Sequence, residues 1–272
     1  PEDRMDLRSD QQLSYRLGVT FDDTNRDSSA TSLIGDITLM TINTDDTSQT
    51  VYFSYAQATQ VPGYTAIGGS NSGGLFRSNY NLERETTKNI ELGLALDRDT
   101  WHLDSAIFYR QDDDLTDWTY SLSSTFARSA NPVDIKTLGL ELLAIKRLDN
   151  AQIITSYTFL KKSEDYGATD IDASFYALNY PDHRVTLGVI WRPTNMIEVR
   201  VDNEWRKQEE NTLRNGDDDA LFTHLTLKIS PSQFKGLDIM LAVDNLWDES
   251  FEEIPGTPGR GEQYTISATY HW

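Results

Sequence analysis

Apolar and polar residues alternate along most of the chain. Between Tyr264 and the end, Tyr264, Ile266, Ala268, Tyr270 and Trp272 fall on one parity, while Thr265, Ser267, Thr269 and His271 fall on the other. Strand side chains point to opposite faces with a period of two, so this segment predicts a strand with one apolar and one polar face. The pattern recurs upstream. Leu13, Tyr15, Leu17, Val19 and Phe21 form one such row; Leu33, Ile37 and Leu39 form a weaker one, and Val51, Phe53 and Tyr55 a third. Ile90 to Leu96 and Trp101 to Tyr109 read as a hairpin, followed by Leu138 to Leu142, Ile153 to Phe159, Val185 to Trp191, Ile197 to Trp205, Thr223 to Ile229 and Leu237 to Val243. Aromatic residues at both ends of an apolar row are the mark of a strand whose greasy side meets lipid between two interfacial girdles.

The connections alternate in length. Short polar turns are expected near residues 45–49, 98–100, 148–150, 192–195 and 231–235, and long loops near 59–85, 112–134, 162–183, 207–219 and 247–262. The strand after Trp101 is allowed to continue past Asp112-Asp113-Asp114 toward Tyr120. Short turns at one end and long loops at the other are the rhythm of an up-and-down membrane barrel, and a Greek-key sandwich or a propeller lacks it. The expected fold is therefore all-β, an antiparallel up-and-down transmembrane β-barrel with about twelve strands of roughly 9 to 13 residues. Such a sheet has to close in lipid, because each unpaired backbone group in hydrocarbon costs several kcal/mol.

Composition narrows the chemistry. The 272 residues carry 43 acidic against 24 basic side chains, a net charge of -19, and no cysteine. That charge argues against a nucleic-acid partner, and the missing thiols exclude disulfides and thiolate sites. No apolar run is long enough for a membrane helix. The chain opens on Pro1-Glu2-Asp3-Arg4 without a basic-then-apolar leader, which fits either a mature start or a piece of a longer protein. His102, His183, His224 and His271 are scattered, with no ligand spacing for zinc. Acidic groups at Asp112 to Asp114, at Asp217 to Asp219 and at Glu249, Glu252 and Glu253 lack the order of a calcium loop and read as solvated loop tips. Gly68-Gly69 and Gly73-Gly74 sit in a long loop, not between a strand and a helix, so no phosphate cradle is expected. No metal, cofactor or catalytic group is assigned.

Ten charged residues lie on the polar parity of the strands and are expected to face a barrel lumen: Glu91, Asp104, Arg110, Glu141, Arg184, Glu198, Arg200, Asp202, Glu204 and Arg206. There they either pair with opposite charges on neighbouring strands and touch material inside the barrel, or are simply solvated. A second set, Tyr64, Phe76, Arg77, Tyr80, Trp118, Tyr120, Tyr166, Phe175, Tyr176 and Tyr180, concentrates in the long loops. These side chains are candidates to stack on a bulky ligand or, alternatively, to pack the loops together.

Several local sequences resemble the TonB-dependent outer-membrane receptors. The run Asp244-Asn245-Leu246-Trp247-Asp248, then Phe251, Pro258-Gly259-Arg260 and a strand ending on an aromatic resembles the end of that family. Asn89-Ile90-Glu91-Leu92-Gly93, Phe108-Tyr109-Arg110, Gly139-Leu140-Glu141 and Tyr55-Ala56-Gln57 ahead of Val61-Pro62 are similar to family motifs in the same order. Arg84-Glu85 departs from the usual Pro-Glu, Trp247 from Phe, and Pro132 follows Asn131 where a small residue is common. The resemblance implies a barrel of about 22 strands with an N-terminal plug. Residues 1–272 would be the C-terminal half of that barrel, without the plug and early strands. It also implies a Gram-negative outer-membrane location, a TonB energy-coupling complex reached through the missing N-terminal part, and import of a bulky small molecule such as a ferric siderophore or cobalamin. Two alternatives stand beside it. A complete barrel of about twelve strands, an autotransporter-type translocator or a hydrolase, would draw on Ser156, Ser267 and His271. A soluble β-sandwich would bury Leu92, Leu94, Leu187, Val189 and Leu241 against a second sheet.

Overall fold

The alternation becomes one continuous antiparallel meander. The computed structural model describes residues 2–43, 47–70, 75–124 and 126–272. In chain order the elements are β1 (Glu2–Arg8), β2 (Gln11–Asp22), β3 (Ala30–Asn43), β4 (Thr47–Gln60), α1 (Tyr64–Gly68), β5 (Phe76–Arg77), β6 (Glu85–Arg98), β7 (Trp101–Tyr120) and β8 (Arg128–Arg147). They continue as β9 (Ala151–Asp165), β10 (Ala173–Ser174), β11 (Pro181–Thr194), β12 (Ile197–Gln208), β13 (Asp219–Ile229), β14 (Leu237–Asp244) and β15 (Gln263–Tyr270). All fifteen strands form one sheet, each long strand pairing with its neighbours in sequence, while the two-residue strands β5 and β10 attach to β8 and β7. Among the described residues β1 pairs only with β2 and β15 only with β14, so the sheet is open.

Strand β1 was not expected, because its alternating charges leave only Met5 and Leu7 as apolar signals. It is specified by its register on β2, where Met5 lies opposite Leu13. Two expected turns are tighter than the polar residues imply: Thr47, Ser48 and Gln49 already belong to β4, and Arg192, Pro193 and Thr194 still belong to β11. The expected loop at 112–134 shrinks to 121–127, since β7 and β8 each run for 20 residues. Asp112, Asp113 and Asp114 are thus strand residues and not loop tips. Pro1, Asp45, Asp46, Gly73 and Gly74 lie outside the described residues.

The two faces of the sheet differ as the parity predicts. On the apolar face Leu92, Leu187, Leu241 and Ile266 remain 52%, 41%, 41% and 76% exposed, so no second sheet covers them and the sandwich alternative is overturned. Outward exposure of this kind is what a lipid-facing surface presents in the absence of lipid. On the polar face two glycines make room for aromatic rings. A Cβ at Gly93 would collide with the Tyr52 ring, and one at Gly139 would collide with Phe108. Each ring occupies the space a Cβ would take, so the missing side chain is a packing requirement.

Candidate functional site

The long-connection end of the sheet is built around the tips of β7 and β8. A bulge at Asp113-Asp114, with Asp114 at φ 57°, shifts the register between Asp112 and Leu115 and bends the hairpin. Beyond it the hairpin outruns its neighbours: β6 pairs with β7 only as far as Asp113, and β9 with β8 only as far as Asp134. Both free edges are then filled by loop strands. β10, from the β9–β11 connection, pairs with the β7 edge, and β5, from the β4–β6 connection, pairs in parallel with the β8 edge. Each connection reaches the edge farther from its own origin, so the two loops clasp the hairpin from opposite sides.

The side chains confirm that arrangement. Asp117 and Trp118 are adjacent and point to opposite faces. Asp117 is fully buried; it accepts from the Tyr166 hydroxyl at 2.7 Å and from the Ala177 backbone N–H at 3.1 Å. Around it Val133, Ile135 and Ala177 form a small core with Leu115, Tyr166 and Leu178 packed against it. Lys162 donates to the Ala177 carbonyl at 2.7 Å, and its ammonium lies 4.4 Å from the Tyr180 ring centre. On the other face Phe76 meets Trp118 edge-on at 5.2 Å. The Arg128 guanidinium lies 4.0 Å from the Phe175 ring and 5.7 Å from Phe76, and it donates to the Tyr176 hydroxyl at 3.3 Å.

A third cluster ties the remaining loops together. Arg214, almost wholly buried, donates to Asn179 Oδ1 at 2.6 Å, to the Glu252 carbonyl at 3.2 Å, to the Glu209 carbonyl at 3.1 Å and to the Asp218 carboxylate. Its guanidinium also lies 5.5 Å from the ring of Phe251, itself buried. Asn179 in turn donates to the Glu253 carbonyl at 2.5 Å. One cation therefore joins the β9–β11, β12–β13 and β14–β15 connections. Periodicity could not reveal it, because two of its partners, Asn179 and the Glu252 carbonyl, come from connections 35 and 38 residues away.

The loop candidates separate by environment. Tyr64 and Tyr80 are 72% and 64% exposed, and the Arg26 guanidinium lies over the Tyr64 ring. Phe76 and Tyr176 are exposed around Arg128, Trp118 and Tyr120 are half-buried strand residues, and Arg77 lies beside Phe126. Phe175 and Tyr180 are buried and Tyr166 is half-buried, all three within the loop packing. Burial, with the Asp117 charge second, holds the Tyr166 hydroxyl well above its ordinary value, so it serves as a neutral donor. Burial first, then the Asp182 carboxylate, raises Glu209; hydrogen bonds from Asn215 and the Gly256 N–H lower Glu252.

The ten strand charges share the polar face. Arg184 pairs with Glu204 across the β11–β12 register at 2.6 Å. Most other pairs run along a single strand: Arg110 with Asp112, Arg200 with Asp202, and Arg206 with Glu204. Arg206 also reaches Glu253 in the β14–β15 connection at 3.1 Å. Arg192 binds Glu198, His102 binds Asp104, and Glu91 accepts from the Tyr52 hydroxyl at 2.7 Å. Glu141 lies on the same wall, lining a groove of about 600 Å³ with Tyr52, Glu91 and Asp104. Among the described residues no three His, Asp or Glu side chains are placed to hold a metal. Ser156 is five strands away from β15, which carries Ser267 and precedes His271, so the hydrolase set is not assembled. Ser156 instead bonds Thr186 at 2.6 Å.

A family model described as TonB dependent receptor-like, beta-barrel matches residues 2–246. No match is found among curated proteins. Among solved structures the chain is similar to the siderophore receptor PirA from Acinetobacter baumannii, with 17% identity over 99% of this chain and 44% of that one, at a TM-score of 0.70. The FrpB iron transporter from Neisseria meningitidis gives 16% identity, 99% and 44% coverage and a TM-score of 0.68. The copper transporter OprC gives 15%, 100% and 46%, and 0.67. At these identities the likeness is one of fold, and the chain spans less than half the length of each of these structures.

Proposed function

The chain belongs to the TonB-dependent receptor family through its β-barrel domain, and from that premise we propose that it is the C-terminal part of an outer-membrane importer of a bulky nutrient. Its cargo would be a ferric siderophore or cobalamin. The observation that carries this reading is the two-faced open sheet, greasy on one side and ion-paired on the other, capped at one end by interlocked loops. Unpaired edges in hydrocarbon are costly, so β1 and β15 would each pair with further strands of a barrel of about 22. The polar face then lines the lumen, and Glu91, Asp104, Glu141 and the charged row of β12 would lie against a plug supplied by another part of the protein. That plug would answer to the TonB energy-coupling complex, which supplies the work of transport.

Within the cap, Tyr64, Phe76, Arg77, Tyr80 and Tyr176 are the accessible groups for a bulky ligand, with Trp118 and Tyr120 behind them. Tyr166, Phe175 and Tyr180 would hold these groups in place. A lost ring-stacking contact is worth about 0.5–1.5 kcal/mol, roughly a two- to twelvefold rise in Kd. Tyr80→Ala and Trp118→Ala in the full-length receptor should each produce that rise and slow uptake of the cargo. Unchanged binding in both variants would remove them from the site, and uptake indifferent to membrane energisation would remove the importer reading itself.

A further inference from the structure

At the tip of the β7–β8 hairpin, β5 and the β9–β11 connection enclose a cavity of about 320 Å³. That volume is at the lower end for a small-molecule site, but the lining is not the usual apolar one. Seven of the lining residues are Ser or Thr, two are Asn, and no aromatic ring is among them. A second cavity, of about 290 Å³, is by contrast lined by Tyr64, Tyr80, Pro62 and Ile67. The hairpin supplies the polar cavity from the face that carries Asp117, because Asn131 pairs with Asp117 and Ser129 with Thr119. Two charges join them from different loops: Arg77 from β5 and Asp170 from the β9–β11 connection.

The hydrogen bonds of the hairpin decide what is left for a ligand. Thr119 donates its one hydroxyl proton to the Ser129 carbonyl at 3.3 Å, so toward Asn131, at 2.7 Å, it acts as acceptor and the amide must turn its NH2 to it. Asn131 Oδ1 is thereby left as an acceptor. Neither it nor the Ser129 hydroxyl has a partner among the described residues. Arg77 lies beside the Phe126 ring at 5.7 Å and Asp170 lines the same cavity, yet neither makes an ion pair among the described residues. The cavity therefore offers donors only at Arg77, acceptors only at Asp170 and Asn131 Oδ1, and hydroxyls that rotate into either role. An apolar group would leave all of these unmatched. An anion is attracted by Arg77 and repelled by Asp170, and a cation the reverse. A zwitterion would use the two charges and leave the hydroxyls idle. A ligand that donates and accepts at several adjacent atoms matches the whole lining.

We infer that this cavity holds a neutral, polyhydroxylated part of the cargo, a sugar ring or a short glycosyl chain. The inference rests on the importer reading, in which cargo first lands on the cap. The test uses the full-length receptor in a neutral detergent that carries no sugar. Maltose, lactose, sucrose and trehalose are titrated in turn, with glycylglycine as the zwitterionic comparison, and binding is followed by saturation-transfer NMR. At least one disaccharide should bind with a Kd of about 1 mM or below. Its affinity should hold when salt rises from about 50 to about 500 mM, because a neutral ligand has no charge to screen. Asp170→Ala should raise that Kd about tenfold and Ser129→Ala about threefold, the charged acceptor losing more than the neutral hydroxyl. Neither side chain holds another group of the cap, so both variants should fold. No disaccharide bound by the wild type, or unchanged affinity in both variants, would overturn the sugar subsite while energy-dependent uptake stands. Glycylglycine bound in place of the disaccharides, and released by salt, would overturn it in favour of a zwitterionic ligand. Uptake indifferent to membrane energisation would instead remove the importer reading on which the subsite rests.

Discussion

Replacing Asp117 with alanine should release the β9–β11 connection from the hairpin it clasps. The carboxylate accepts two hydrogen bonds, from the Tyr166 hydroxyl and the Ala177 N–H, and it is completely buried. A hydrogen bond to a charged group contributes about 1.5–3 kcal/mol. The loop can open to water, which re-solvates both donors, so the lower bound applies and the pair sums to roughly 3 kcal/mol. At about 1.4 kcal/mol per factor of ten, that corresponds to an increase of roughly 150-fold in the open population. Hydrogen exchange of the Ala177 amide in the full-length receptor reads this directly, because protection of a local segment reports its own opening equilibrium. Asp117→Asn is the internal control. Its amide oxygen still accepts from Ala177 while its NH2 donates to the Tyr166 oxygen, so only charge assistance is lost and the increase should be about fivefold for roughly 1 kcal/mol. If Ala177 exchanges equally slowly in wild type and Asp117→Ala, the loop is held by Val133 and Ile135 alone and the carboxylate is incidental.

Three other perturbations probe the same framework. Gly93→Ala places a methyl in the Tyr52 ring and should cost about 1–3 kcal/mol in urea unfolding of the detergent-solubilised barrel; Tyr52→Ala in the same chain should recover much of it. Failure of that rescue would show that Gly93 is needed for its backbone. Arg214→Met removes the donor shared by the partly exposed Asp218 and two loop carbonyls, a loss of about 1–3 kcal/mol, and should expose residues 209–218 and 249–258 to limited proteolysis; equal resistance would refute the three-loop tie. The raised Glu209 gives a pH test. A carboxyl whose folded value lies above its unfolded one contributes stability that is full below the unfolded value and fades as pH rises through the folded value. Glu209→Gln should therefore slow exchange of the cap amides at neutral pH and make no difference in acid; the opposite pH trend would sink the assignment.

Much of this protein was legible from residue order alone. Alternation across Leu92, Val189, Leu241 and Ile266 determines strands and faces because the pleat has a period of two, and the placement of Glu91 or Arg200 on the polar face follows from counting. The long loops were also readable, except where hairpin β7–β8 outran its neighbours. There Asp112 to Asp114 reads as a solvated turn, and only pairing of Asp112 with Ile135 on one side and of Asp112 and Asp113 with Thr87 and Thr86 on the other keeps the strand running. The roles of Asp117, Arg128 and Arg214 belong wholly to the tertiary structure. Asp117 meets partners 49 and 60 residues away, and Arg214 meets one 38 residues away. Local periodicity records which side of a strand a residue occupies, but which loops cross above it depends on where distant connections find unpaired backbone edges.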